Sequence, residues 1–161
     1  MQVIVGPRQV GKSTLIGQVL EVCNMPYDSY SADDVVGASA DWLAGVWQTA
    51  RMRMDIRGEG KRLLVVDEIQ KINNWSETVK AEWDRDTREK REPIVVLLGS
   101  SRMLIEKGLT ESLADRYELI RLTHWTFLVG IRAQHLILPM SVVGETTSKT
   151  LRLNHPSRRM C

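Results

Sequence analysis

The sequence predicts an α/β fold, in which helices cover both faces of a parallel sheet in a three-layer α/β/α sandwich. Short apolar runs alternate with helical patterns along the chain, and the runs 63–66 and 94–98 are apolar throughout. A strand that is apolar on both faces is typical of a parallel sheet buried between helices. A glycine-containing loop, 6–13, also joins the first apolar run to the first helical pattern. This order of strand, loop and helix is the third observation behind the prediction.

The first two elements are a short strand and an amphipathic helix. The run 3–5 is apolar and short, which predicts a buried strand. After the loop, apolar side chains recur at helical spacing on one face: Leu15, Ile16, Val19, Leu20 and Cys23. We therefore expect the chain to leave the strand, curl through the loop and enter a helix.

The second strand and the second helix follow a break at Pro26. Residues 27–31 are predicted to form a strand that leads into an acidic turn. The helix after that turn has apolar residues with the i, i+3, i+4, i+7 spacing, namely Leu43, Val46, Trp47, Ala50 and Met54. We expect Asp41 to cap its start and the segment 57–60, with its two glycines, to end it.

The remaining elements continue the alternation. Asn74 and Glu77 have the spacing of a capping box, and the helix that follows them has apolar residues four positions apart. The run 94–98 is the next strand. A short helical stretch near 103–107 and a strand near 117–122 complete the series.

A phosphate-binding pattern, G-x-x-x-x-G-K-S, lies between the first strand and the first helix. Glycines let the backbone N–H groups turn toward phosphates, the lysine reaches the β and γ oxygens, and the serine ligates magnesium. The helix that follows directs its unpaired N–H groups at the same place. The residues that we expect to bind a nucleoside triphosphate are Gly6, Pro7, Arg8, Gln9, Val10, Gly11, Lys12, Ser13 and Thr14. The alternative is a glycine-rich turn without a ligand.

Two acids, Asp67 and Glu68, directly follow the apolar run 63–66. This is the pattern of a Walker B strand. We expect Asp67 to hold Mg²⁺ together with Ser13, and Glu68 to orient or deprotonate the attacking water. The alternative is a strand that ends in an ordinary polar turn.

The adjacent glutamate favours a hydrolytic ATPase among the phosphate-loop classes. A nucleoside kinase uses another hydroxyl as acceptor and does not need this residue, and the N-K-x-D run that reads guanine in small GTPases is absent. The long segment between Lys12 and Lys61 has room for another strand. We therefore predict the additional-strand arrangement of the sheet.

Two further positions are candidates for contact with the γ-phosphate. Ser100 and Ser101 end the strand after the acidic one and can act as a sensor, or form a simple turn. Arg116 precedes the last strand and can stabilise charge on the transferred phosphoryl group, often in a neighbouring subunit. The alternative for Arg116 is a surface ion pair with Asp115 or Glu118.

Five segments together resemble one family. They are Gly6-Pro7-Arg8-Gln9-Val10-Gly11-Lys12-Ser13-Thr14, Asp67-Glu68-Ile69-Gln70-Lys71, Gly99-Ser100-Ser101, Glu111-Ser112-Leu113-Ala114-x-Arg116 and His124-Trp125-Thr126-Phe127. Over residues 2–127 the chain resembles the prokaryotic AAA-type ATPases whose AAA domain precedes a domain of unknown function. The resemblance implies sheet order 5-1-4-3-2, ATP and Mg²⁺. Asp115 replaces the family's glycine before Arg116, which weakens the transfer of the arginine role.

The chain divides into two parts at the end of this resemblance. We expect residues 1–127 to form the AAA-like domain and residues 128–161 to be a divergent, poorly ordered basic tail, the product of a truncation or frameshift. The tail carries five Lys or Arg residues and one acid. Such a tail can bind nucleic acid, although it lacks interleaved aromatic residues.

Composition limits the remaining possibilities. No apolar stretch reaches the length of a membrane span and no signal peptide is recognisable, so we expect a cytoplasmic protein without a membrane partner. Two cysteines make neither a disulfide framework nor a metal site. The sequence thus predicts an ATP-binding domain with Mg²⁺-dependent hydrolysis, coupled to a protein partner, a second copy of the chain or a conformational change. The alternatives are a nucleotide-dependent switch with little turnover and a nucleic-acid-associated ATPase.

Overall fold

The computed structural model describes residues 1–100, 105, 109 and 113–123. The elements in this part of the chain, in order, are β1 (Gln2–Val5), α1 (Lys12–Val22), β2 (Tyr27–Ser31), α2 (Ala40–Arg57), β3 (Leu63–Asp67), a 3₁₀ turn (Ile69–Lys71), α3 (Trp75–Arg88), β4 (Ile94–Gly99) and β5 (Glu118–Arg121). Ile105 and Leu109 are also helical and buried. The predicted alternation of strands and helices is therefore confirmed. The segment 128–161, predicted to be a divergent tail, lies outside the described residues.

The five strands form one parallel sheet in the order β2-β3-β4-β1-β5. This is the predicted order 5-1-4-3-2 counted from the other edge. β4 lies between β1 and β3, so it separates the strand before the phosphate loop from the strand that ends in the acids. In a parallel sheet all strands end at the same edge, and Val5, Asp67 and Gly99 are therefore neighbours there.

The side chains of the central strands alternate between two apolar clusters, one on each face of the sheet. One cluster contains Ile4, Val65 and Leu98 and packs against α1. The other contains residues of the same strands with the opposite parity, such as Val66 and Leu97, and packs against α2 and α3. Both faces are covered, which explains the apolar runs and confirms the three-layer arrangement.

Two predicted helix starts are wrong in detail. The residue that caps α2 is Ser39, whose Oγ accepts from the N–H of Trp42 at 3.3 Å, and Asp41 lies inside the first turn. Asn74 precedes α3 with φ 55°, and its side chain makes no capping hydrogen bond. An N-cap that accepts from the first turn has an extended backbone, and Asn74 does not.

Buried ion pairs join the elements at the amino-terminal edge of the sheet. Asp28 at the start of β2 accepts from Arg62 and from Arg53. Between α2 and α3, Asp86 accepts from Arg51 Nε at 2.6 Å and from the Trp47 indole at 2.6 Å. The side chains of Asp28, Arg62, Arg51 and Asp86 are all at most 4% exposed. Charges at this edge therefore serve the packing of one element on another.

Candidate functional site

The loop after β1 has the left-handed backbone that its glycines permit. Gly11, directly before α1, has φ 87°, and Gln9 has φ 61°. Val10 between them is 6% exposed and belongs to the apolar cluster under α1. The buried Val10 side chain therefore fixes the loop to the apolar cluster, and the residues on either side of it have the left-handed backbone.

Gly6 lies where no side chain fits. A Cβ atom at Gly6 would be 2.6 Å from the carbonyl oxygen of Leu122, which follows β5. The N–H of Gly6 donates to the carbonyl of Gly99 at 3.3 Å. The start of the loop is therefore held between the ends of the two strands that flank β1.

The ammonium group of Lys12 lies inside the curve of the loop. Lys12 Nζ donates to the carbonyl oxygens of Gly6 and Pro7, each at 2.9 Å, and the residue is 5% exposed. Burial lowers the pKa of Lys12, whereas the nearby carboxylates of Glu68 and Asp67 act in the opposite direction. A buried ammonium that donates to loop carbonyls is already positioned to meet an anion enclosed by the loop.

Ser13 and Asp67 meet across the mouth of the loop. Ser13 Oγ donates to Asp67 Oδ2 at 2.6 Å, although 54 positions separate the two residues in the chain. The other oxygen, Asp67 Oδ1, accepts from the N–H of Glu68 at 2.8 Å. A hydroxyl and a carboxylate next to a phosphate loop are the oxygen ligands that Mg²⁺ takes in nucleotide sites, where water and phosphate supply the rest.

Glu68 has a backbone conformation that is uncommon for a glutamate. Its φ is 53°, and it is followed by the 3₁₀ turn Ile69–Lys71. Its Oε2 atom accepts from Ser100 Oγ at 2.8 Å and also from Gln70 Nε2. The sharp bend after β3 therefore directs the Glu68 side chain toward the end of β4, where the sequence placed the sensor serine.

These side chains surround a cleft of about 480 Å³ at the carboxyl edge of the sheet. The residues that line it are Arg8, Gln9, Gly11, Lys12, Ser13, Thr14, Asp33, Glu68 and Lys71. The structure thus brings the predicted phosphate loop and the predicted catalytic acid to one cleft. The predicted metal ligand Asp67 reaches the same cleft through its bond to Ser13.

Arg116 lies at the other edge of the sheet. It precedes β5, whose first residue, Glu118, pairs with Gln2 at the start of β1. Its guanidinium donates to Asp84 of α3 at 3.1 Å, with both side chains 34% exposed. The alternative, a surface ion pair, is thus present, but its carboxylate is Asp84 of α3 and not Asp115 or Glu118. Arg116 does not join the cleft of its own chain.

Some residues with a predicted role or structure lie outside the described part of the chain. They are Ser101, the segment 124–127 and the tail 128–161. Of the stretch 103–107, only Ile105 is described. Within the described part of the chain, no helix has the length and apolar character needed to cross a membrane, and no group of three or more His, Cys, Asp or Glu side chains converges on a common point.

Sequence reasoning missed three residues near the cleft. Gln70 donates to both Glu68 and Ser100, and Asp33 forms an ion pair with Lys71 at the rim. Gln70 and Lys71 belong to the segment that carries the family resemblance, and this was the signal that could have found them. Asp33 follows β2, and since β2 ends at the same edge as the acidic strand, its position could have been inferred from the sheet order.

Comparison with a family model agrees with this architecture. A family model described as an AAA domain matches residues 1–129. No curated protein matches the chain. Among solved structures, a chain from "Structural Basis for Katanin Self-Assembly" aligns with a TM-score of 0.49 and 17% sequence identity, over 74% of this chain and 40% of that one. This chain therefore spans well under half the length of that structure.

Proposed function

We propose that this chain, which belongs to the family of AAA domains and is an ATP-binding AAA-like module, hydrolyses ATP with the help of Mg²⁺. One observation carries the proposal. The phosphate loop, the Ser13–Asp67 pair at 2.6 Å and the Glu68 side chain meet at a single cleft, although they come from distant parts of the sequence.

The loop and Lys12 bind the β and γ phosphates. Backbone N–H groups at the start of α1 and the positive end of the helix dipole favour negative charge there. Lys12 adds a full charge from inside the curve of the loop. A bound phosphate oxygen would replace the carbonyl oxygens of Gly6 and Pro7 as acceptor for this ammonium, and a charged acceptor makes the stronger hydrogen bond.

Ser13 and Asp67 fit a divalent ion. Their oxygens already converge, and one carboxylate with one hydroxyl suits Mg²⁺, which keeps several waters and shares phosphate oxygens. When bound, Mg²⁺ neutralises charge on the phosphates. Asp67 keeps its second oxygen on the N–H of Glu68, so the orientation of the metal ligand and that of the base are linked.

Glu68 holds the attacking water. A carboxylate that faces the cleft can accept a proton from this water or orient it, and a positioned general base contributes roughly 10²- to 10⁴-fold to the rate. Ser100 donates to Glu68 and lies at the end of β4, next to the loop strand. It is therefore placed to respond to the γ-phosphate.

Arg116 completes the site of a neighbouring copy. It lies at the opposite edge of its own sheet, so it can approach a phosphate only in another subunit. A partly exposed arginine whose pairing with Asp84 is exchangeable can act in this way. The proposal therefore includes assembly of several copies for full turnover.

Phosphate release by the wild-type chain and by Glu68→Gln tests the proposal. We expect Mg²⁺-dependent release by the wild type and a decrease of about 100-fold or more in Glu68→Gln, because the amide cannot accept the proton. ATP affinity should stay within about twofold, since Lys12 and the loop are unchanged. The matched control is Glu21→Gln, an exposed position on α1.

The assay must include high protein concentrations, where assembly is favoured. Equal rates for wild type and Glu68→Gln under those conditions would contradict the role of Glu68. Tight ATP binding without any release would indicate a nucleotide-dependent binding module.

A further inference from the structure

Gln70 closes a ring of hydrogen bonds around one oxygen of Glu68. Its Nε2 group donates to Glu68 Oε2 and to Ser100 Oγ, the latter at 3.2 Å. Ser100 Oγ in turn donates to the same Glu68 oxygen at 2.8 Å. Three side chains from two strand ends are thus fixed relative to one another.

One end of the Gln70 amide is buried without a partner. Gln70 as a whole is partly exposed, but its Oε1 atom is buried and accepts no hydrogen bond within the described part of the chain. It packs so closely on Gly99 that a Cβ atom at that glycine would lie 2.8 Å from it. A buried carbonyl without a donor destabilises the fold, and a leucine of similar size would avoid this penalty.

We propose that Gln70 is a positioning residue for hydrolysis. It binds one oxygen of the Glu68 carboxylate, Oε2, and leaves the other Glu68 oxygen, Oε1, for the attacking water. This inference rests on the proposed ATPase function. Glu68 Oε2 accepts hydrogen bonds from Gln70 and Ser100, whereas Glu68 Oε1 accepts none from the described residues. Because Glu68 also lines the cleft, its unbonded oxygen is the one that can meet a water there.

A purely structural role for Gln70 makes different predictions. If the amide only held the bend after β3, its removal would lower stability and would weaken nucleotide binding and turnover together. A positioning residue instead affects the step in which Glu68 acts. Its replacement by an apolar side chain should leave stability intact, since the buried carbonyl disappears as well.

The test compares the full-length wild type, Gln70→Leu and the control Gln48→Leu, which changes an exposed glutamine on α2. For Gln70→Leu we expect kcat to fall about 10- to 100-fold, as for a misplaced catalytic group. We expect KM and ATP affinity to stay within about twofold, and the melting temperature to be equal or higher. Gln48→Leu should match the wild type in kcat and KM.

A second measurement is independent of turnover. In nitrogen-15 spectra, the side-chain amide signal of Gln70 is identified by its loss in Gln70→Leu. It should move in Glu68→Gln, because the donor loses a charged acceptor.

The outcomes separate this inference from the proposed function. Wild-type kcat in Gln70→Leu overturns the inference, as does a lower melting temperature with parallel losses of affinity and kcat. A Gln70 signal that Glu68→Gln leaves unmoved overturns it even when wild-type turnover is normal. A wild-type chain that binds ATP but never releases phosphate contradicts the proposed hydrolysis itself.

Discussion

The two edges of the sheet use charged residues in opposite ways. At the amino-terminal edge, carboxylates meet guanidinium groups directly, as Asp28 meets Arg62, and both side chains are almost fully buried. At the carboxyl-terminal edge, Lys12 donates to backbone carbonyls, while Asp67 and Glu68 accept from hydroxyl and amide groups. The first edge thus pairs its buried charges with each other. At the second edge these three charged groups have neutral hydrogen-bond partners, and the ion pair between Asp33 and Lys71 lies at the rim of the cleft.

This difference separates stability from function within one small sheet. A buried ion pair that loses one member leaves an uncompensated charge, so the amino-terminal edge is sensitive to mutation without taking part in chemistry. Neutral partners can be exchanged for a ligand at lower cost. The carboxyl-terminal edge therefore keeps an ammonium and two carboxylates available for the polyphosphate of ATP and, in the function proposed above, for Mg²⁺.

Among these changes, Asp28→Ala should lower stability most. It removes ion pairs at the amino-terminal edge of the sheet and leaves the cleft at the other edge unchanged. Arg62 and Arg53 would lose their shared carboxylate, and the buried Arg62 would keep only its ion pair with Glu59. We expect a loss of about 3 kcal/mol in the free energy of unfolding, the lower end of the range for breaking a buried pair, because Glu59 still compensates part of the charge. Denaturant unfolding measures it. ATP affinity per folded molecule should stay unchanged.

The matched control is Glu92→Ala, which removes one member of an exposed pair with Lys61 at 3.7 Å. Its expected cost is about 0 to 1 kcal/mol. If Asp28→Ala were no more destabilising than this control, or if it abolished ATP binding in protein that is still folded, the separation of the two edges would be incorrect.

A smaller effect is expected from Arg116→Ala, which tests whether the amino-terminal edge serves a neighbouring copy. We expect turnover at high protein concentration to fall at least about 10-fold, because the arginine supplies charge that stabilises the phosphoryl transition state. At low concentration the rate should be unchanged. Asp84→Ala is the control, since it breaks the same ion pair and leaves the arginine. Equal rates for the two variants at every concentration would mean that Arg116 only forms an ion pair with Asp84 and does not act in a neighbouring copy.

Much of the fold could be predicted because the pattern of apolar residues depends directly on layer position. The runs at β3 and β4 are apolar on both faces because helices cover both, and the order of the strands followed from family resemblance. Helix caps were less predictable. Ser39 and Asp41 are both suitable capping residues, and only the backbone angles of the folded chain select between them.

The candidate site was predictable where a known motif assigns a role to a residue, as for Ser13 and Asp67, and unpredictable where no motif covers the contact. Lys12 and Ser13 follow from the loop pattern. The partner of Arg116 did not, because Asp84 lies 32 positions earlier in the chain and meets Arg116 only in the folded structure. Gln70 belongs to the segment 67–71 that carries the family resemblance. Its proposed role in positioning Glu68 depends on the φ of 53° at Glu68, which turns the next residues toward β4.

Whether the loop around Lys12 binds the phosphates of ATP can be measured by calorimetric titration of ATP with Mg²⁺ into the wild type, Lys12→Ala and Lys61→Ala. Lys12 lies within the phosphate loop, whereas Lys61 lies at the opposite edge in an exposed pair. We expect saturable binding by the wild type and Lys61→Ala. In Lys12→Ala we expect the affinity for ATP to fall about 100-fold, because two charge-assisted hydrogen bonds disappear. Equal affinity in all three proteins, or no binding by the wild type, would contradict this expectation.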